Sequence, residues 1–216
     1  LGFMYNVLSQ ENKDTLFRVY SLTKGLTQIL SRILSDNQFL DLNAPIKNYL
    51  PDLPLHLQEI TSQQLLSHTS GIRHYRSNDE WLSLSQNNCS LTGDALNTFI
   101  NDPLVSEVGA EEHYSSFGYV LLSAVLEAAA GQSFDQLITS HILTPSLAQG
   151  VQFDDPQKNQ NDNVTTFYEP YNEQYFEAPK IDNSCKFGEA QSTQHPLKSP
   201  ESSMPISLAG LVMQPP

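Results

Sequence analysis

The most regular pattern in the chain is a helical spacing of apolar residues after Ser21. Leucine and isoleucine recur three and four positions apart there, as Leu26, Ile29, Leu30, Ile33 and Leu34. This period gives a helix one apolar face. Polar residues that break helices follow at positions 35–37. The pattern therefore predicts an amphipathic helix from Ser21 to about Asp36.

Two capping signals predict further helices. Thr61–Gln64 and Ser133–Gln136 each have a hydroxyl residue followed three positions later by Gln, which is the form of a capping box. The first signal predicts a short helix from Ser62 to His68. The second predicts a helix that ends at about Leu143.

One stretch is apolar almost all round and belongs in a core. From Val120 to Ala130 only Glu127 is charged, and Gly131 follows at the position where helices often stop. Residues 92–100 predict another short helix with an apolar face. Helices are therefore expected to dominate from residue 21 to 143.

Strand-like composition lies at the edges of this helical region. The apolar stretches Leu1–Tyr5 and Leu16–Val19, on either side of polar residues 10–14, fit a strand, a turn and then an approach to the first helix. Val164–Tyr168 and Tyr171–Phe176 fit a hairpin, with its turn either at Glu169-Pro170 or in the Asn172-Glu173 region. The elements together predict an α+β protein.

Composition narrows the range of partners. With 216 residues, of which 39% are hydrophobic, the chain can bury a sizeable core. Its 24 acidic residues outnumber 11 Lys and Arg, giving a net charge of −13. Nucleic acid is excluded as a partner because phosphate binding needs clustered basic residues. The expected partner is a small-molecule or peptide substrate, and the oligomeric state stays open.

The sequence contains few signals for membrane insertion, cellular compartment or cofactor binding. No uninterrupted apolar run approaches the length of a membrane span, so we expect none in this piece. The chain starts at Leu1 and reads as part of a longer protein, which leaves its compartment open, with an extracytoplasmic one expected if it is bacterial. Cys89 and Cys185 lack neighbouring metal ligands, and we expect no metal and no organic cofactor.

The candidate chemistry begins with Ser21 and Lys24. Residues three apart on a helix share a face, so the hydroxyl and the amine can meet. The positive end of the helix dipole and a nearby amine both help a serine hydroxyl to lose its proton. The same spacing also occurs by accident in serine-rich chains, so on its own it is a weak signal.

Three stretches together carry a family resemblance: Phe17–Lys24, Leu65–Ile72 and Tyr114–Tyr119. They resemble the serine beta-lactamase-related family, which includes class C beta-lactamases, D-Ala-D-Ala peptidases and related esterases. Residues 73–75, 101–104 and 181–184 are most similar to its mitochondrial branch and the bacterial relatives of that branch.

The resemblance implies a beta-lactamase/transpeptidase-like fold, in which helices flank an antiparallel sheet and a mostly helical region is inserted. Residues 1–187 would form such a domain, incomplete at both ends, with the helical region at about 21–143. Residues 188–216 are rich in Ser and Pro, and we expect them to be a poorly ordered tail.

The resemblance also implies the roles of site residues. Ser21 would be the nucleophile, Lys24 its activating amine, and Tyr114 the general base that also protonates the leaving group. Phenols are weak bases at neutral pH, but a neighbouring ammonium favours the phenolate. Ser116 would contact the substrate where most of the family has Asn, which favours peptide or ester substrates over beta-lactams. The Ser21 backbone N–H would form half of an oxyanion hole.

The chain departs from the family after Phe187. A Lys or His followed by Thr or Ser and Gly, the third motif of the family, is not found between residues 187 and 216. We expect a truncation or a reading-frame error near Gly188, which sequencing of the gene would test. Two alternatives therefore stay open: a non-catalytic scaffold with this fold, or a helical interaction domain in which Ser21, Lys24 and Tyr114 do not meet.

Overall fold

Helices are the main regular elements of the computed structural model, which describes residues 16, 18–84, 89, 92–148, 150–153, 168–171 and 174–177. In chain order they are α1 (Leu22–Asp36), α2 (Ser62–Leu66), α3 (Asn78–Leu84), α4 (Thr92–Leu96), α5 (Ser116–Ala130) and α6 (Phe134–Ile138). A 3₁₀ turn, Ile46–Asn48, lies between α1 and α2, and α6 continues into a π-helical turn, Thr139–Leu143. The strands β1 (Tyr168–Tyr171) and β2 (Gln174–Glu177) follow.

Helix α5 is the centre of the core. Every residue from Ser116 to Leu126 is buried, and α1, α2, α4 and α6 all pack against it. Burial on all sides is what the nearly continuous apolar composition of this stretch predicts. Gly131 ends the helix with a φ of 67°, and its N–H donates to the Glu127 carbonyl.

Glu127 has a structural role at the end of this apolar helix. Its Oε1 accepts a hydrogen bond of 2.8 Å from the Phe134 backbone N–H at the start of α6. Ser133 and Gln136 form the predicted capping box at the same helix start. The turn from α5 into α6 is therefore fixed by caps on both of its sides.

Helix α1 buries a face that is apolar at one end only. Leu30 and Leu34 are fully buried as predicted, whereas Ile29 is 49% exposed. Towards the start of the helix the buried side chains are polar: Thr23, Lys24, Thr27 and Ser31. The three hydroxyls donate to backbone carbonyls three or four residues earlier, so they can be buried without loss of a hydrogen bond.

Helix α2 ends two residues earlier than the sequence predicts. Thr61 and Gln64 form the expected capping box, but the helix stops at Leu66 rather than at His68. His68 has a φ of 59°, a left-handed conformation that cannot continue an α-helix.

The loop after α2 packs closely against the loop before α5. Gly71 has a φ of 72°, and a Cβ added there would lie 2.5 Å from the Ser106 carbonyl oxygen. The Gly71 carbonyl accepts from the Val105 N–H at 2.8 Å, and the Thr69 carbonyl accepts from Gly109 at 2.7 Å. Only glycine permits both the backbone conformation and the close approach at position 71.

The predicted hairpin is present with shifted bounds. β1 and β2 pair antiparallel with Tyr171 opposite Gln174, and Glu169 and Pro170 lie within β1, so the strands are not joined at Glu169-Pro170. Pro170 lies within β1, which is possible because both strands of a two-stranded sheet are edge strands. Within the described residues this hairpin is the only sheet. The predicted loop at 154–163 and the tail at 188–216 lie outside the described residues.

The structure bears on two features noted in the sequence, the lack of a membrane span and the two cysteines. No single helix in the described part of the chain is long and apolar enough to cross a membrane; α5 and residues 134–143 pass only as a pair bent by 78°. Cys89, which the sequence left without a role, is disulfide-bonded. Cys185 lies outside the described residues.

Candidate active site

Ser21 is the residue immediately before α1. It occupies the N-cap position with φ −63° and ψ −2°, and its side chain does not cap the helix. The sequence predicted a position in the first turn, one residue further on. Tyr20 has a positive φ of 48°, and its carbonyl accepts from both the N–H and the hydroxyl of Thr23, at 2.9 and 2.6 Å. An uncommon backbone conformation is thus held directly before Ser21.

Lys24 reaches Ser21 as the three-residue spacing predicts. Its Nζ donates a hydrogen bond of 2.6 Å to Ser21 Oγ and a longer one of 3.4 Å to Ser116 Oγ. Lys24 is only 4% exposed. A buried ammonium interacts strongly with groups that gain or lose negative charge nearby, because little water screens it.

Tyr114 meets the same pair from the other side. Its hydroxyl lies 2.5 Å from Ser21 Oγ, and Lys24 Nζ lies 5.0 Å from the centroid of its ring. Tyr114 is 43% exposed, so solvent reaches the phenol while the amine is covered. The structure brings Ser21, Lys24, Tyr114 and Ser116 together. The expectation that these side chains do not meet, on which the helical interaction domain depends, is therefore wrong.

A second phenol, which the sequence left without a role, lies on the other side of the amine. Lys24 Nζ is 5.5 Å from the ring centroid of Tyr119, whose side chain is fully buried. The Tyr119 hydroxyl donates to the Leu66 carbonyl at 3.0 Å and accepts from Gln28 Nε2 at 2.8 Å. Burial raises the pKa of Tyr119, which outweighs the effect of the Gln28 hydrogen bond. Tyr119 is thus a neutral packing residue whose ring face lies against the Lys24 amine.

The backbone around Tyr114 is fixed by the start of α5. Ser115 is the N-cap of this helix: its Oγ accepts from the Gly118 N–H at 2.9 Å and donates to the Arg73 carbonyl at 2.8 Å. One hydroxyl therefore joins the first turn of α5 to the loop after α2. Tyr114 is the residue just before this cap.

Two histidines contact Tyr114 and the residues that follow it. His68 Nδ1 accepts from the Ser115 N–H at 3.1 Å, and His74 Nδ1 accepts from the Ser116 N–H at 3.2 Å. Their ring centroids lie 4.6 and 5.3 Å from that of Tyr114. An isolated histidine at a helix end is more often a hydrogen-bonded structural residue than a ligand or base, and the His68 ring is hydrogen-bonded. The sequence gives no sign that the partner is next to Tyr114.

The pKa of His68 is lowered. Burial is the largest cause, and the Lys24 charge and His74 act in the same direction, while Glu112 opposes them. The neutral imidazole is therefore the favoured form of His68 at neutral pH.

Arg73 holds the loop that carries His74. Its guanidinium is buried, donates to Asp102 at 2.6 Å, to Glu80 at 2.9 Å and to the His74 carbonyl at 3.0 Å, and lies over the Phe117 ring. Burial acts to raise the pKa of Asp102, but the hydrogen bond and charge of Arg73 hold this pKa below its usual value. A buried cation with this many partners gives the loop one defined position.

Metal ligands do not cluster in the part of the chain that the structure describes. No group of three or more His, Cys, Asp or Glu residues there is arranged to hold an ion. The polar groups that meet at Ser21 are an alcohol, an amine and a phenol, which suit proton transfer.

Comparison of the whole fold places the chain in a known structural class. It superposes on the crystal structure of a D-stereospecific amidohydrolase from Streptomyces sp. with a TM-score of 0.71 and 20% identity, covering 83% of this chain and 57% of that one. The class is therefore the beta-lactamase/transpeptidase fold, and the predicted α+β class is confirmed.

Sequence comparison then gives the family. A family model described as Beta-lactamase matches residues 7–198, and the chain belongs to this family. The mitochondrial serine beta-lactamase-like protein LACTB of Bos taurus is 26% identical over 192 residues, covering 56% of this chain and 34% of that protein. Teichoic acid D-alanine hydrolase of Staphylococcus aureus is 24% identical over 144 residues, with 67% and 34% covered. The chain spans about a third of the length of these relatives.

Proposed function

We propose that the protein is a serine hydrolase that forms an acyl-enzyme on Ser21 with an amide or ester substrate. The observation that carries this proposal is the position of Ser21 Oγ, within 2.6 Å of Lys24 Nζ and 2.5 Å of the Tyr114 hydroxyl. A serine hydroxyl becomes a useful nucleophile only when a base next to it can take its proton. Here the Tyr114 oxygen is in position to be that base, and the Lys24 ammonium contacts the same serine oxygen.

The acylation step needs one proton to move twice. The Tyr114 phenolate oxygen takes the proton of Ser21 as Oγ bonds to the substrate carbonyl carbon. The carbon–nitrogen or carbon–oxygen bond then breaks, and Tyr114 returns the same proton to the leaving amine or alcohol. The short distance between Ser21 Oγ and the Tyr114 hydroxyl supports direct transfer.

Deacylation repeats these steps with water in the place of serine. Tyr114 removes a proton from water as it attacks the acyl carbon, and the proton passes to Ser21 Oγ as the ester breaks. The 43% exposure of Tyr114 allows water to approach its oxygen.

Lys24 supports both steps as a fixed positive charge. It donates to Ser21 Oγ and lies beside the Tyr114 ring, so it stabilises negative charge on either oxygen. Because the side chain is buried, this stabilisation is screened less than it would be at the surface.

Covalent labelling tests this function. A fluorophosphonate is expected to add one adduct per chain, since the phosphorus is attacked by an activated serine. Digestion and mass spectrometry should locate the adduct on the peptide that contains Ser21, with no adduct on other serines. Labelling elsewhere, or none on a protein with native circular dichroism and a cooperative unfolding transition, would contradict the proposal.

We propose peptides or esters, and not beta-lactams, as the substrate class. Ser116 has a short hydroxyl where most of the family has the longer amide of Asn, and this hydroxyl lies 3.4 Å from Lys24 Nζ. Two of the related proteins are named for hydrolysis of a D-alanine conjugate and of D-amides, which fits an acyl group of this kind.

The Ser116→Asn variant tests the substrate class. Because the amide adds a donor that reaches further into the site, penicillin acylation is expected to rise about tenfold, the effect of roughly one net hydrogen bond. Hydrolysis of a small ester should change little. The measurement is the rate of penicillin adduct formation by intact-mass spectrometry, with Ser116→Ala as the matched control. A variant with unchanged penicillin acylation would argue against a selective role for this position.

A non-catalytic scaffold is the second candidate. The observation behind it is that residues 187–216 contain no Lys-Thr-Gly or His-x-Gly, the form of the family's third motif. It predicts a folded protein that neither a fluorophosphonate nor penicillin labels, which separates it from the hydrolase.

A further inference from the structure

The start of α5 has an unusual set of hydrogen-bond acceptors. The first backbone N–H groups of a helix have no partners within the helix and are normally satisfied by hydroxyl or carboxylate oxygens. Here the N–H groups of Ser115 and Ser116 donate to the Nδ1 atoms of His68 and His74. Both rings also contact the ring of Tyr114, the residue just before this helix.

His68 holds both neighbours of Tyr114. Its carbonyl accepts from the His113 N–H at 2.8 Å, and its Nδ1 accepts from the Ser115 N–H at 3.1 Å. The two bonds lie on either side of Tyr114 and both come from one residue. The positive φ of His68, 59°, is the conformation that directs carbonyl and ring to the same segment.

These bonds require neutral rings. Nδ1 can accept a hydrogen bond only when it carries no proton, so the proton of each neutral ring is on Nε2. A protonated imidazole has an N–H at both nitrogens, and its Nδ1–H would point at a backbone N–H. Protonation therefore replaces an attraction at the start of α5 with a repulsion.

The charged groups that face His68 determine the pH at which its ring becomes protonated. Lys24 of α1 and the positive end of α5 disfavour the imidazolium, and His74 acts in the same direction. Glu112 favours it, and the phenols of Tyr114 and Tyr119 pack against the ring. His74 in turn packs against Tyr75 and Tyr114, and Arg73 donates to its carbonyl.

We propose that His68 and His74 are positioning residues: as neutral acceptors they hold the Tyr114 hydroxyl within reach of Ser21, and protonation of His68 releases it. This proposal rests on the proposed role of Tyr114 as the general base. It adds a condition to that role, since the distance of 2.5 Å between the Ser21 and Tyr114 oxygens depends on two uncharged imidazoles.

The decisive variants are His68→Asn and His68→Ala. Asn tolerates a positive φ, carries an acceptor oxygen near the place of Nδ1, and does not titrate. His68→Ala removes the acceptor and is expected to lower kcat for a small ester roughly 10- to 100-fold at pH 7.5, with a smaller change in KM, as a misplaced catalytic group does. His68→Asn should retain most of the wild-type kcat and lose part of its decline at acidic pH.

His74→Asn is the matched control for the second ring. It retains an acceptor for the Ser116 N–H, so it should preserve kcat at pH 7.5. Its acid decline should remain, because the titrating group in the proposal is His68. A loss of the acid decline in His74→Asn, together with its retention in His68→Asn, would overturn the assignment to His68.

Two further measurements do not depend on turnover. In a ¹⁵N spectrum of the imidazole rings at pH 7.5, His68 and His74 should each show an unprotonated Nδ1 and a protonated Nε2. The second is the pH dependence of the free energy of unfolding. Native His68 holds its proton more weakly than a histidine in the unfolded chain, for which the pKa is 6.5. The unfolded state therefore binds more protons as pH falls through this value, and wild type loses stability that His68→Asn retains.

These measurements separate the two proposals. If no ester is turned over, the tautomer and stability measurements still test the hydrogen bonds, and their success would leave only the hydrolase proposal overturned. If turnover is present but Nδ1 of His68 carries the proton at pH 7.5, or His68→Asn keeps the full acid decline, the positioning proposal fails alone.

Discussion

Replacing Ser21 with alanine is expected to lower kcat/KM for ester hydrolysis by roughly 10⁵- to 10⁶-fold, as loss of the nucleophile does in serine proteases. Its oxygen is contacted by both Lys24 Nζ, at 2.6 Å, and the Tyr114 hydroxyl, at 2.5 Å. Without it, neither group has an attacking oxygen to activate. The fluorophosphonate adduct should disappear with the activity.

Ser31→Ala is the matched control for this variant. Ser31 lies on the same helix, and its buried hydroxyl donates to the Thr27 carbonyl at 2.7 Å. Its loss removes a serine hydroxyl from α1 without touching the site, so activity should be retained. The assay is hydrolysis of an activated ester, followed together with the intact mass of the labelled protein. Retention of more than a hundredth of the activity in Ser21→Ala would contradict its role as nucleophile.

Tyr114→Phe is expected to reduce kcat by roughly 10²- to 10⁴-fold, the usual contribution of a general acid or base. The variant removes one oxygen, 2.5 Å from Ser21 Oγ, and retains the ring that packs against His68. Since the hydroxyl is at a partly exposed position, stability should change little. The measurement is the pre-steady-state rate of acylation, which isolates the first proton transfer.

Tyr119→Phe is the control that distinguishes chemistry from packing. Its ring lies nearly as close to Lys24 Nζ as that of Tyr114, at 5.5 against 5.0 Å, but its hydroxyl bonds the Leu66 carbonyl and the Gln28 side chain. Its removal leaves a partly buried carbonyl short of a donor, which costs about 1 kcal/mol of stability. Activity should be largely kept. The opposite pattern, with Tyr119→Phe inactive and Tyr114→Phe active, would exchange the roles of the two phenols.

Local signals in the sequence predict most of the helical part of the fold. The capping boxes at Thr61 and Ser133 and the glycine stop at Gly131 each lie where the structure has a helix boundary. Such signals work because each cap satisfies backbone groups only a few residues away. The early end of α2 could not be predicted, because the positive φ of His68 depends on bonds to residues 113 and 115, far along the chain.

Part of the candidate site was also predictable, because one of its contacts joins residues that are close in the sequence. The contact between Ser21 and Lys24 follows from helix geometry, whereas their contact with Tyr114 joins residues 93 positions apart and was expected only from the family resemblance. Tyr119 and the two histidines gave no usable signal. Their importance depends on which ring atoms face the amine and the start of α5, and this is decided by packing.

The polar face of α1 shows a limit of hydrophobic patterns. Ile29 belongs to the predicted apolar series yet is about half exposed, while Thr23, Thr27 and Ser31 are fully buried. Small hydroxyl residues can be buried because they bond to backbone carbonyls of their own segment. A pattern that counts only hydrophobic residues therefore misplaces the buried face near Lys24.

Within the described residues, hydrogen bonds link Ser21, Lys24, Tyr114, the two histidines and Arg73 to partners between residues 21 and 118. The residues proposed to move protons thus lie on one helix end, one loop and one helix start. The walls that choose a substrate can come from elsewhere in a polypeptide. Substitutions in those walls can therefore change the substrate while the geometry around Ser21 is kept.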